Sequence, residues 1–470
     1  MNTWLSLLPP LITIGIAIWS KKILPALLIG LLTGSYLLHP TVTGGFEGAV
    51  DQIVKTLTDK DNLQVLLFLY LFSGLIGIIK HSGGIKAFSD RAEKYIKSEK
   101  GVFFTLWALI PVTFIDSGFR IVGAGSITRS LAEKHKIATE RLAFMLNNTA
   151  SPVVELIPIA TTFVGFNVAI IAQGLKIAGV AENNSAYIIW LKAIPFEFFS
   201  IVVLLITFFS IFVQFKKADH KPKAPHGGKP ETGMNMEDHK PVIQPRVINL
   251  IVPMLSVILL SFFFFWLFGR EKSGSASIVS AITNTEPNRA MLVALFISIV
   301  VSAILYGFQK YDLKRLTADF ISGGNEIMTT LAILAIAWPL AAVSQELGLN
   351  AFIQQQVGSS LPAWSVPLAV FLLSAAVTYF IGSGWGAASL IMPFAIPLAV
   401  SVGAGIPLCV AAVITGGTFG DVTSPVAGMT NMSSNIAHAD HSEYMNYAAP
   451  YNFTAAGIAA ILFVIAGFLQ

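Results

Sequence analysis

Three acids stand inside long apolar runs, where a lipid-facing chain would carry none: Asp116, Glu155 and Asp421. A charged side chain at mid-membrane costs about 2.5–3.5 kcal/mol on insertion scales, so such groups mark ion, proton or substrate paths. Asp421 has the hydroxyls of Thr418, Thr423 and Ser424 beside it in sequence. Hard oxygens and carbonyls freed by a helix break are what a sodium ion needs, which makes Asp421 a candidate Na+ site. A carboxylate there can also trade a proton for the cation. Its plainer role is to cap a helix starting at Ser424-Pro425.

The other two acids also have two readings each. Glu155 follows Pro152 by three residues, on the first turn of a half-helix where an acid suits the dipole, or else carries a proton. Asp116 has Arg120 four residues on, an ion pair by spacing. The Arg120 fork also suits a substrate carboxylate. Thr149 joins the ion-binding set. Ser117, Asn147, Asn148, Ser151, Ser383, Asn431, Ser433 and Ser434 supply neutral donors and acceptors for a cavity. Arg129 reads as a snorkelling anchor, His438 and His441 as surface histidines, and Glu197 beside Pro195 finds no partner in the sequence.

These residues need elements that hold polar groups inside lipid. The stretch TGGTFGDVTSPVAGMTNMSS (415–434) and the stretch FMLNNTASPVVELIP (144–158) each interrupt an apolar run with proline and small polar residues. Unwound backbone at membrane depth is tolerated only where it faces protein or a watery cavity. Two such interruptions in matching halves point to a transporter's binding site.

The bulk composition agrees with a membrane chain. Of 470 residues 54% are hydrophobic and 12% charged, about half the charge of a soluble domain. The single cysteine, Cys409, excludes an internal disulfide, and the segment 4–19 reads as a retained helix rather than a signal peptide. No GxxxxGK[ST] loop offers ATP drive. Runs long enough to span lie near 4–20, 23–38, 62–80, 142–172, 186–213, 248–268, 290–308, 326–345, 407–435 and 448–469. Regions 101–133 and 363–402 are apolar around polar centres. Basic clusters at 21–22, 80–100, 134–141, 216–246 and 310–315 fall on one side if those two regions are re-entrant hairpins.

The halves repeat. Phe114-Ile115-Asp116-Ser117-Gly118 resembles Phe380-Ile381-Gly382-Ser383-Gly384, and Ser151-Pro152-Val153 resembles Ser424-Pro425-Val426. In this pairing Asp116, Glu155 and Asp421 face Gly382, Gly428 and Asn148, so the halves match in shape and differ in charge. The predicted fold is an all-α membrane protein: an inverted repeat of about five transmembrane helices plus one re-entrant hairpin per half, with a broken helix in each half. The expected divisions are 1–213, a flexible cytoplasmic linker at 214–247, and 248–470.

The motifs FIDSGFRIVGAGSITRSLAEKHKIATERLAFMLNNTASPV and GGTFGDVTSPV resemble the NhaC-type sodium/proton antiporter family. Asp421, Thr149, Ser424 and Pro425 match that pattern. Ser117, Asn147 and Gly428 stand where the family often carries acids. The resemblance implies sodium/proton antiport by alternating access, with no enzymatic step and no cofactor beyond Na+ and H+ as transported ions. Relatives move amino acids or organic acids, so the alternative is a sodium- or proton-coupled carrier of an amino acid or organic carboxylate anchored on Arg120. The expected setting is the plasma membrane, as a multi-pass protein of a bacterial inner membrane. The expected partners are the lipid bilayer and a small cation or organic solute. A homodimer is compatible, and nucleic acid is not a partner.

Overall fold

The computed structural model describes residues 4–92, 96, 98–159, 161–180, 186–212, 242–274, 285–353, 355 and 361–470. Residues 213–241, most of the expected linker, lie outside the described residues. Among the described residues all regular structure is helical. Among the described residues eight helices are long and apolar enough to cross a membrane, and the pair Ala186–Phe196 and Phe198–Phe209, bent by 44°, makes a ninth if it is one span. The chain is a multi-pass membrane protein.

Both halves run through a similar order of elements, the first with one more helix between its broken helix and its closing span. The first holds a pair, Leu8–Ser20 and Ile23–Leu38, then Gly44–Leu57 and Lys60–His81. A hairpin follows, rising through Glu99–Ala108 and Ile110–Thr113 and returning as Ser117–Lys134. Next come a broken helix (Thr139–Asn148, Ser151–Glu155), the helix Thr162–Ala178 and the bent closing span. The second half repeats this with Ile248–Ser273, Pro287–Phe308, Leu313–Glu326 and Met328–Glu346. Its hairpin is Val366–Ile381 and Gly384–Val402, its broken helix Ile406–Thr423 and Gly428–Ala437, and its closing span His441–Phe468.

The halves pack by exchange. Gly44–Leu57 lies on Met328–Glu346, and its counterpart Leu313–Glu326 lies on Lys60–His81. Ser117–Lys134 lies on Gly428–Ala437, and its counterpart Gly384–Val402 on Thr162–Ala178. The backbones come closest where Gly77 crosses Gly323. A Cβ on Gly77 would sit 2.7 Å from the Gly323 Cα, and one on Gly323 would sit 2.6 Å from the Gly77 Cα. Ser73 Oγ donates to the Gly323 carbonyl at 2.7 Å across the same crossing. Close approach of this kind is the usual basis of helix association in lipid, where apolar burial gives no drive.

Two expectations change. The run 142–172 is three helices rather than one span: Pro152 and Pro158 withhold donors, and the chain unwinds at Thr149–Ala150 and again after Glu155. Glu155 therefore ends a five-residue turn instead of opening a half-helix. The short helices Gly44–Leu57 and Leu313–Glu326 are amphipathic, so a search for apolar runs passes over them.

Candidate functional site

Asp421 lies in the last turn of Ile406–Thr423, and the break comes after it, at Ser424–Ala427. It does not cap the following half-helix. Its Oδ1 accepts the backbone N–H of Gly384 at 2.8 Å. Gly384 is the first residue of the second hairpin's returning helix, so the acid sits at a positive helix end. Its Oδ2 accepts from Ser151 Oγ at 3.4 Å, a residue of the other half's break. One carboxylate thus touches a hairpin tip and both broken helices.

Glycine makes that approach feasible. Gly416 and Gly420 lie four apart on the face turned to Val366–Ile381. A Cβ there would fall 2.7 Å from Ser374 Cβ and 2.2 Å from Thr378 Cγ2, respectively. Gly417 faces Gly384, with an added Cβ 3.3 Å from its carbonyl.

A second carboxylate lies close by. Glu155 accepts from Thr418 Oγ1, one turn before Asp421, and from Ser200 Oγ at 3.4 Å. Ser200 N–H donates to Thr415 Oγ1 at 3.2 Å. Glu197 and Asp421 both act on Glu155 electrostatically. Among the described residues no Lys, Arg or His lies within ion-pair distance of these three acids, and no group of three His, Cys, Asp or Glu is arranged to hold a metal ion. A cation bound here would rely on Asp421 with hydroxyls and carbonyls.

The two breaks are closed by different means. Arg120, 0% exposed, donates through Nε to the Thr149 carbonyl, from one Nη to Thr113 Oγ1 at 2.8 Å and from the other to the Leu106 carbonyl at 3.3 Å. The ion pair with Asp116 expected from spacing does not form; the guanidinium instead faces the negative end of Thr139–Asn148. In the second half the matching carbonyl, Val422 O, accepts from Asn147 Nδ2 at 3.1 Å and Asn452 Nδ2 at 2.9 Å. Asn147 also donates to Tyr444 Oη at 2.6 Å, and Asn148 to Asn452 Oδ1 at 2.8 Å. Among the described residues the buried Oδ1 atoms of Asn147 and Asn148 have no partner.

Asp116 stands apart from the acids. It caps Ser117–Lys134 by accepting Phe119 N–H at 2.9 Å and also accepts from Thr162 Oγ1 at 3.1 Å. The equivalent cap in the second hairpin is Ser383, which accepts Gly386 N–H at 3.1 Å. By capping role Asp116 pairs with Ser383, one residue off the sequence register, because Gly382 puts one more residue between Phe380 and its cap than stands between Phe114 and Asp116.

The remaining hydroxyls divide. Ser424 Oγ donates to the Tyr379 carbonyl at 2.6 Å and Thr149 Oγ1 to the Met145 carbonyl at 2.7 Å. Asn431 Nδ2 donates to the Ala427 carbonyl at 2.9 Å, and Ser434 Oγ to Asn431 O at 2.9 Å. Among the described residues the buried hydroxyls of Ser117, Thr423 and Ser433 have no partner. His441, read as a surface residue, bridges Ser434 Oγ at 3.1 Å and the Pro425 carbonyl at 2.8 Å, clasping the break. Arg129 pairs with Glu133 at 3.3 Å. The site is buried: Asp421 is 8% exposed and Glu155 4%.

Sequence reading singled out Glu197 without a partner, left Thr415 inside the stretch 415–434 without a role, and passed over Ser200, Tyr444 and Asn452. The available signal was the one used for Asp421, a polar residue in an apolar run; Glu197, Ser200 and Asn452 stand apart from the two polar stretches in sequence and meet their partners only in the fold.

The chain matches the model of the Na+/H+ antiporter family over residues 153–468. It is 25% identical over 481 residues to an uncharacterised protein of Haemophilus influenzae, covering 99% of this chain and 91% of that one. It is 26% identical over 185 residues to the malate-2H+/Na+-lactate antiporter of Bacillus subtilis, covering 37% of this chain and 38% of that one. Its fold is similar to the YdaH transporter of Alcanivorax borkumensis (TM-score 0.63, 14% identity, 90% of this chain and 88% of that one). It is also similar to MtrF of Neisseria gonorrhoeae, described within a class of antimetabolite efflux pumps (TM-score 0.56, 14% identity, 90% and 84%). With the family pattern running through more than half of the chain, and with the polar breaks of both halves closed around a buried acid, this membrane protein belongs to the Na+/H+ antiporter family and is a transporter rather than an enzyme.

Proposed function

We propose that this transporter exchanges sodium ions for protons by alternating access, with Asp421 binding ion and proton in turn. The observation that carries this reading is the position of the Asp421 carboxylate, buried against Gly384 N–H at 2.8 Å and Ser151 Oγ at 3.4 Å. An empty, ionised carboxylate is expensive to carry through an apolar interior, whereas one neutralised by Na+ or H+ is not. Exchange follows, because the element bearing Asp421 crosses only when loaded. Ser151, whose hydroxyl reaches Asp421, would help complete a sodium shell, with Thr423 and Thr418 on the same helix as the acid. The hairpin tip and the two breaks joined at Asp421 would part on one side and then the other, by an elevator-like or rocking motion. The basic clusters orient the chain with 214–247 in the cytoplasm of a bacterial inner membrane.

A second reading is coupled exchange of an organic carboxylate, supported by the partial likeness to a malate-2H+/Na+-lactate antiporter. Arg120 would then release the Thr149 carbonyl to take the anion. Purified protein in liposomes separates the two. Under the first reading an imposed sodium gradient moves protons, seen with an internal pH dye, and Asp421→Asn abolishes the flux. Protein-dependent uptake of malate or lactate, with no sodium-driven proton movement, would replace the first reading with the second.

A further inference from the structure

We propose that Glu155 and Glu197 form a second buried proton-binding site, two neighbouring carboxyls of which one holds a proton, beside the hydroxyls of Ser200, Thr415 and Thr418. Glu197 stands at the bend between the two pieces of the closing span, directly before Phe198–Phe209. It occupies a capping position, yet its side chain caps nothing. Glu197 is 0% exposed, and among the described residues neither carboxylate oxygen has a hydrogen-bond partner. Buried polar side-chain atoms are paired in the great majority of cases, so two orphan oxygens on one acid call for something further.

The surroundings say what that is. Ser200 is three residues on, in the same first turn, and its hydroxyl reaches Glu155 Oε2 at 3.4 Å and Thr415 Oγ1 at 3.4 Å. Glu155 ends the one-turn helix in the first break, and Thr418 donates to it from Ile406–Thr423. The charged groups acting on Glu155 are Glu197, from the bend, and Asp421, from Ile406–Thr423; both are acidic. No cation balances them among the described residues. Two carboxylates sharing a dry site cannot both stay ionised, so a proton is the smallest species that settles the pair. Hydroxyls that donate to Glu155 from one side leave the Glu197 oxygens to receive that proton.

This pair would hold its proton whatever ion Asp421 carries, so its test need not assume sodium exchange. Wild type, Glu155→Gln, Glu197→Gln, Glu197→Asp and Asp421→Asn are purified, checked for equal elution and melting, and placed in lipid nanodiscs. Infrared spectra are taken across a pH series in light and heavy water. Wild type should show a protonated-carboxyl stretch at neutral pH that shifts in heavy water. Glu197→Gln and Glu155→Gln should lose it, while Glu197→Asp and Asp421→Asn keep it. In liposomes Glu197→Gln should flatten the pH profile of transport while keeping sodium-for-sodium exchange. A folded Glu197→Gln with the band and pH profile intact overturns the proposal, as does loss of the band in Asp421→Asn. Wild type that shows the band but moves no protons against sodium supports the pair and removes only the antiport reading.

Discussion

Asp421 accepts the backbone N–H of Gly384 at 2.8 Å, so the acid of one broken helix closes the first turn of the neighbouring hairpin. The same oxygen cannot serve the amide and a bound cation equally, which ties ion binding to the position of the hairpin tip.

Gly384→Ala tests that link. Its Cβ would lie 2.8 Å from Asp421 Oδ2 and 3.0 Å from Oδ1, which pushes the carboxylate off the amide. We expect a loss of about 1–3 kcal/mol in stability, read by thermal unfolding in detergent, and a weaker stabilisation by added sodium. Asp421→Asn keeps an acceptor for Gly384 and should melt near wild type while losing the sodium effect altogether.

Arg120 gives a second prediction. Its three donating nitrogens hold Thr149 O, Thr113 Oγ1 and Leu106 O, and truncation strands acceptors in a dry interior at about 1–3 kcal/mol for each group left unsatisfied. Arg120→Ala should unfold several degrees early, and Arg120→Lys should recover little, because an ammonium cannot reproduce the fork. Melting curves of the purified variants measure this. An Arg120→Lys protein that melts like wild type and loses only transport would move the residue from scaffold to substrate.

How much of this was readable beforehand depends on the kind of signal. Asp421 and Glu155 announce themselves locally, as acids beside proline in apolar runs, and the repeat of Ser151-Pro152 in Ser424-Pro425 relates the two breaks. The pairing of Asn147 with Tyr444 or of Asn148 with Asn452 spans 297 and 304 positions and leaves no local trace. Arg120 misled for a simpler reason. Spacing of four on a helix suggests a partner at Asp116, but Asp116 turns to its own helix's Phe119 N–H, and Arg120 faces the freed Thr149 carbonyl. The amphipathic helices Gly44–Leu57 and Leu313–Glu326 carry too many polar residues to be found as spans, although they supply the exchanged contacts between halves.

One of those contacts can be broken from either side. Leucine at Gly77 or at Gly323 would drive a side chain into the opposing backbone, where even a Cβ meets Cα at 2.7 or 2.6 Å. Each variant should destabilise by about 1–3 kcal/mol or more, and the double variant should cost less than the sum, since one separation relieves both clashes. A thermal-shift double-mutant cycle reads the coupling; strict additivity would mean that the crossing does not bind the halves.

The last prediction concerns Gly382, which ends the rising arm of the second hairpin with φ at +75°. Any other residue pays the left-handed penalty there, about 1–2 kcal/mol, and its Cβ would also meet the Val426 carbonyl at 2.6 Å, inside the second break. Gly274 separates the two effects. It has φ at +66°, and among the described residues nothing lies within 4 Å of where a Cβ would go, so Gly274→Ala carries the backbone penalty alone. If the hairpin tip is seated against the unwound segment, Gly382→Ala should melt clearly below Gly274→Ala, and it should slow transport where Gly274→Ala does not. Equal melting points would mean that the tip and the break move independently, and the closed site described here would then lack the contact that holds it shut.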